Sequence, residues 1–252
     1  MPKTMEPASE RSRLPHAVLD EASRILKARK IVALLGEQRF SDARRILEIG
    51  CGSGAISSTL ARIGHADAHV TAVDVADNRI VTDGYTFIKV DGTSLPFDAG
   101  SFDVIVTNHV IEHVGDRSEQ LHHLREIARV MDASAITYLA VPNKWRLIEP
   151  HFRLPLLSWL PIQVADLYVR LMRRGDHYDC IPLSDAEARK LFQEAGLIHS
   201  ESTIEAVRLT LLIEYPESRI ARFLSSSLPS PLIKLAKPLI STLIYTLQKG
   251  SP

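Results

Sequence analysis

The 252 residues include 30 Lys plus Arg and 30 Asp plus Glu, so no global basic excess points to a nucleic-acid backbone as partner. Apolar residues at 45% suffice for the core of one α/β domain with insertions. Two cysteines, Cys51 and Cys180, make neither a disulfide framework nor a CxxC zinc pair, and a reducing, cytoplasmic compartment is expected.

Residues 1–14 are polar, carry no apolar stretch of signal-peptide length, and predict a mobile lead-in. From His16 to Leu35, Val18, Leu19, Ala22, Ile25, Leu26, Ile31 and Leu34 recur at helical spacing. An alternation follows. Ile46–Ile49 is a short apolar run ending in glycines, and Ile56–Ile63 is helical. His69–Val75, Thr86–Val90 and Phe102–Thr107 read as strands. Arg117–Met131 is a helix and Ala135–Val141 a strand. Such alternation implies a parallel sheet with helices on both faces. Residues 143–183 interrupt it with prolines, aromatics and arginines and one helix near Ile162–Arg173. Residues 184–196 restore a helix that Ser184 caps and Gly196 ends. A strand is expected near Leu197–Ile204, a second interruption at 207–237 and a last strand at Leu239–Leu247. Leu228–Leu247 is apolar but holds Lys234, Lys237 and three prolines, a poor membrane span.

The chemistry concentrates in Glu48-Ile49-Gly50-Cys51-Gly52-Ser53-Gly54, at the end of a strand and the start of a helix. Glycines there allow a tight turn and a close ligand, and the helix start offers unpaired N–H groups. With Ala55, the same residues also spell the dinucleotide fingerprint G-x-G-x-x-A. Asp74 ends the second strand as a carboxylate for ribose hydroxyls, which leaves NAD and S-adenosylmethionine both open. Glu48, two residues before the first glycine, is placed to face a cation such as an amino-acid ammonium. Asp91-Gly92 ends the third strand, where an adenine edge would lie.

The phrase LPFDAGSFDVIVTNHVIEHV, residues 95–114, with the later REIARVM and AVPN, resembles the class I S-adenosylmethionine-dependent methyltransferases. The nearest flavour is the small-molecule group that includes the ubiquinone-type O-methyltransferases. The likeness covers residues 40–143 and the helix and strand after 183. It implies a Rossmann-like, seven-stranded, mostly parallel α/β sheet with helices on both faces, the last strand antiparallel, and cap insertions. Residues 1–40 would be an N-terminal helical segment, and 41–252 the methyltransferase domain with inserts at 143–183 and 207–237. By the same resemblance, Glu48, Gly50, Gly52 and Gly54 would shape the methionine pocket and Asp74 would bind ribose. Asp91 and Gly92 would hold adenine, and Asn108 and His109 would line the sulfonium side. Two departures are visible. The stretch from Asp74 to Phe87 leaves room for a turn or so where the family has a helix. Met131–Ala135 replaces the family's L-K-P-G-G turn.

His109, Glu112 and His113 stand at i, i+3 and i+4, a metal-like spacing if the segment is helical. His109 takes the place of the acid that a metal-dependent pattern prefers, so no metal is expected. The 143–161 insert follows the fifth strand and should cover the site. Its Trp145, Phe152, Leu156, Leu157 and Trp159 suit a partly apolar, small-molecule or lipid-like acceptor, or else bury themselves as a self-contained lid. His109 and His151 are the candidate catalytic bases. In 207–237, apolar and basic residues mix as in interfacial helices, which fits peripheral contact at the inner face of a membrane. O-methylation is the favoured activity. A catalytically silent binding module and an NAD-binding oxidoreductase are the alternatives.

Overall fold

The run Ile46–Ile49 becomes the middle of the molecule because it is apolar on both sides. In the computed structural model, which describes residues 21–227, 229, 237 and 240–250, it lies in strand β1 (Arg45–Ile49). Ile46 points into a core formed with the helices α1 (Glu21–Leu35), α2 (Glu37–Asp42) and α3 (Ala55–Ile63). Its neighbour Leu47 points into a second core on the opposite face. The same two-residue alternation sorts Val104 and Ile105 of β4 (Phe102–Asn108), and Tyr138 and Leu139 of β5 (Met131–Pro142), onto opposite faces. All six side chains are at least nine-tenths buried, and full burial of an aliphatic chain stabilises by roughly 1.5–3 kcal/mol.

The other strands are β2 (His69–Asp74), β3 (Thr86–Lys89), β8 (Leu197–Glu201) and β9 (Thr242–Lys249); β6 (Ile148–Glu149) and β7 (Leu154–Pro155) form a separate small sheet. The main sheet runs β3-β2-β1-β4-β5-β9-β8, with β9 antiparallel to both its neighbours and the rest parallel. This is the expected Rossmann-like sheet. The chain order turns back between β1 and β4, so a crevice opens beyond the carboxyl ends of those two strands.

Helix α4 (Arg117–Val130) starts at Asp116, whose carboxylate accepts from the backbone N–H groups of Ser118 and Glu119. It runs straight into β5 at Met131, so the altered turn costs only a register shift between Phe102 and Val104. Helix α6 (Asp185–Glu194) has the full capping box from Ser184 and Glu187, and Gly196 follows its end at φ 72°. Between β2 and β3, residues 75–85 hold no helix at all.

The 143–183 insert leaves the sheet intact because its two ends meet, Asn143 bridging to Leu183. It holds β6, β7 and α5 (Ile162–Leu171) around a core of its own: Phe152, Leu154, Leu157, Ala165, Val169, Tyr178 and Cys180. Beyond β8, α7 (Thr203–Glu214) crosses the expected start of the second insert and packs on the sheet face of α1 through Ala206. The Lys30–Glu214 ion pair ties the two helices together. Helix α8 (Arg219–Ser227) completes this segment. The expected helix start at His16 and most of the apolar stretch 228–239 lie outside the described residues. Among the described residues no helix is long and apolar enough to cross a membrane.

Candidate functional site

The glycine turn leaves β1 in left-handed backbone. Gly50 has φ 75° and Gly54 φ 78°. A side chain at Gly50 would put its Cβ 2.3 Å from Val110 Cγ2, and one at Gly54 would meet Tyr85 Oη at 2.1 Å and the Val81 carbonyl at 2.2 Å. Both therefore have to be glycine, for conformation and for space. The Val110 contact also brings the turn against the end of β4. The helix-free stretch after β2 folds back onto the turn, with the N–H groups of Ile80 and Val81 donating to the Ser53 carbonyl at 2.9 and 3.0 Å.

Two carboxylates flank the turn. Asp74 Oδ2 accepts from the Gly52 N–H at 2.9 Å, while Oδ1 has only a long contact, 3.4 Å, from the Ala76 N–H. Glu48 is buried, and the Ser57 hydroxyl donates to its Oε2. Burial pushes its carboxyl up to about 8, against the pull of the Ser57 hydrogen bond and the Arg24 charge and with the help of Asp74. Arg24 comes from α1 and is half-buried; burial lowers it and Glu48 raises it. The sequence reading passed over Arg24, because no local motif ties a helix residue to a strand 24 positions on. Its only signal was one arginine among the apolar positions of an amphipathic helix. Burial likewise pushes the Cys51 thiol up, as befits a small residue packed inside the turn.

At the end of β4, Asn108 is buried and its Oδ1 has no hydrogen-bond partner among the described residues. His109 follows at φ 60°, a conformation uncommon outside glycine. Its Nδ1 lies 3.2 Å from Oε1 of the fully buried Glu112. The next residues, Ile111–His113, form a 3-10 turn rather than an α-helix, so His109, Glu112 and His113 do not gather as the helical spacing would place them. Instead His113 stands with His151 and Cys180. Asp91 and Gly92 are exposed beyond β3, and Val90 N–H donates to the Asp74 carbonyl at 3.0 Å, aligning the ends of β2 and β3. Glu48, Gly50, Gly52, Gly54, Asp74, Asn108 and His109 thus share one end of the sheet. His151 lies in the cap.

The cap reaches this end from above β5. Ile181 N–H donates to the Glu112 carbonyl at 2.8 Å, and Gln120 Nε2 binds the Ile181 carbonyl at 3.0 Å. Inside the cap Arg146 and Glu149 form a buried ion pair, and Glu149 Oε2 also accepts from the Phe152 N–H at 2.7 Å. Phe152, Leu154 and Leu157 are buried in the cap itself. Trp145, Leu156 and Trp159 stay partly exposed, and so do Val164, Leu167 and Leu171 of α5.

Residues 47–139 match the family model described as a methyltransferase domain. The chain carries a class I S-adenosylmethionine-dependent methyltransferase domain. The chain is 34% identical over 110 residues to a ubiquinone biosynthesis O-methyltransferase of Caulobacter vibrioides, covering 39% of this chain and 41% of the relative. It is 29% identical over 165 residues to an enzyme of the same name from Bordetella parapertussis, covering 61% and 62%. The matches therefore span between about two fifths and three fifths of those relatives' lengths. In fold, the methyltransferase domain is similar to the crystal structure of an S-adenosylmethionine-dependent methyltransferase from Mesorhizobium loti. That likeness has a TM-score of 0.59 at 11% identity and covers 89% of this chain and 98% of the other.

Proposed function

We propose that this protein moves a methyl group from S-adenosylmethionine to a hydroxyl of a small, partly apolar acceptor held between the end of β4 and the cap. The observation that carries the reading is the His109–Glu112 pair, set on a strained residue beside the glycine turn and touched by the cap. The fit to the cofactor rests on the donor set: an acid with its charge suppressed at Glu48, an arginine near it, a carboxylate at Asp74 with accepting capacity left, and the Asn108 Oδ1 that has no partner among the described residues. S-adenosylmethionine, when bound, supplies a methyl already activated on a sulfonium.

The chain's own residues then position and deprotonate. Glu48 takes the ammonium of the methionine part and Arg24 its carboxylate, with Gly50, Gly52 and Gly54 giving backbone approach. Asp74 Oδ1 accepts from the ribose hydroxyls. Asp91 and Gly92 border the adenine, left open by the missing helix. Asn108 lines the sulfonium side. The Glu112 carboxylate accepts from His109 Nδ1–H, which leaves Nε2 as the atom that takes the acceptor's proton. Most of the acceleration comes from alignment, since the methyl needs no further activation. His151 is turned toward His113 and Cys180, so we assign the base role to His109 alone.

The exposed apolar side chains of α5 sit beside Arg170, Arg173 and Arg174, and those of α8, Ile220 and Phe223, beside Arg219 and Arg222. Apolar and basic groups together favour peripheral contact with an anionic bilayer, the source of a lipid-like acceptor. The test is calorimetry with S-adenosylhomocysteine, followed by transfer of labelled methyl to cell extract separated into aqueous and lipid fractions. We expect binding and label in a lipid-soluble product. Binding without any transfer would support a silent module instead, and binding of NAD in place of S-adenosylhomocysteine would overturn the reading.

A further inference from the structure

Three side chains that none of these steps uses converge where the cap meets the turn after β4. His113 ends that turn, His151 follows β6, and Cys180 lies near the far end of the cap. Each offers one ligand atom, and the three atoms lie within 4.8 Å of one another. Cys180 Sγ is 3.7 Å from His113 Nδ1, and the His113 and His151 rings meet edge to face with centroids 5.8 Å apart. In a tetrahedral shell with Zn–N near 2.0 Å and Zn–S near 2.3 Å, neighbouring N and S donors stand roughly 3.5 Å apart. The cluster therefore needs only small side-chain rotations to close on an ion. The histidines are half-buried and the cysteine buried, so the cluster is open on its imidazole side. Asp179 and Glu112 both act on Cys180, acidic neighbours that favour a cation there.

We propose that His113, His151 and Cys180 bind one divalent cation of the zinc class, which clips the cap to the end of β4. Three protein ligands leave the fourth position for water or for an acceptor oxygen. The set differs from the His109, Glu112 and His113 spacing because the 3-10 turn separates His113 from its sequence neighbours. It draws its second and third ligands from the cap, which local spacing cannot show.

The test is titration of the full, tag-free chain with Co²⁺, read by its thiolate-to-cobalt absorption and by displacement with Zn²⁺. We expect about one ion per chain. The charge-transfer band should remain in Cys51→Ser, disappear in Cys180→Ser, and need at least tenfold more metal to appear in His151→Gln. Zn²⁺ should also raise the thermal midpoint of the wild type in proportion to the logarithm of its concentration, and not that of Cys180→Ser. No uptake by the wild type, or a band that persists in Cys180→Ser, overturns the proposal. The wild-type titration decides even if a variant fails to fold.

Discussion

Glu48 at the sheet's carboxyl end and Glu149 in the cap are both buried, and the fold treats them in opposite ways. Glu149 in the cap is matched in full: Arg146 faces it and the Phe152 N–H donates to it, while the Arg146 carbonyl in turn holds the Trp159 indole at 2.9 Å. Glu48 beside the glycine turn receives the Ser57 hydroxyl and backbone N–H and only the charge of Arg24, and burial pushes its carboxyl up to about 8. A buried acid that is fully paired is a building element. One left short of positive charge is poised for a cation that arrives later. The difference separates a cap that supports itself from the strand end where we place the cofactor.

Four experiments break or sharpen this contrast. The largest effect is expected at the junction of the two regions. His109→Gln should lower turnover by about two to four powers of ten and leave S-adenosylhomocysteine affinity within about twofold. Equal losses in binding and turnover would make His109 a packing residue. Next, Glu149→Ala strands the Arg146 charge in the cap core and should destabilise by about 3–5 kcal/mol in chemical denaturation. Early proteolysis within 143–183 should accompany it. An unchanged denaturation curve would mean that the cap does not depend on the pair.

Glu48 predicts a pH signature of opposite sign to that of a salt-bridged acid. Its carboxyl is raised from 4.5 to about 8 in the fold, so the folded state holds a proton that the unfolded chain has lost. Stability from this group is present below about 4.5 and is lost as pH rises toward 8. A bound ammonium favours the charged form. Affinity for S-adenosylhomocysteine should therefore rise by up to about tenfold per pH unit between 6 and 8 and then level off. The thermal shift it causes should grow in parallel. Glu48→Gln should flatten this profile; a slope that survives the substitution assigns it to another group. The smallest effect is expected for Asp74→Ala, about tenfold weaker binding through lost ribose hydrogen bonds, with the melting temperature nearly unchanged. Wild-type affinity in that variant would take Asp74 out of the site.

The strand and helix alternation, the glycine turn and the acids beside it were legible in the sequence, because each rests on short-range rules. A two-residue period sorts Ile46 and Leu47 to opposite faces, left-handed backbone demands Gly50 and Gly54, and Ser184 and Glu187 form a capping box three residues apart. The place of Arg24 near Glu48 was decided by the packing of α1 against the sheet. Two further matters belonged to the tertiary structure alone. The turn after β4 is 3-10, so His109 pairs with Glu112 while His113 leaves for the cap. The cap closes its base through Asn143 and Leu183 and so brings His151 and Cys180 to His113. Neither follows from spacing, because a few residues of turn geometry and the folding of a 143–183 insert on its own core set where those side chains point.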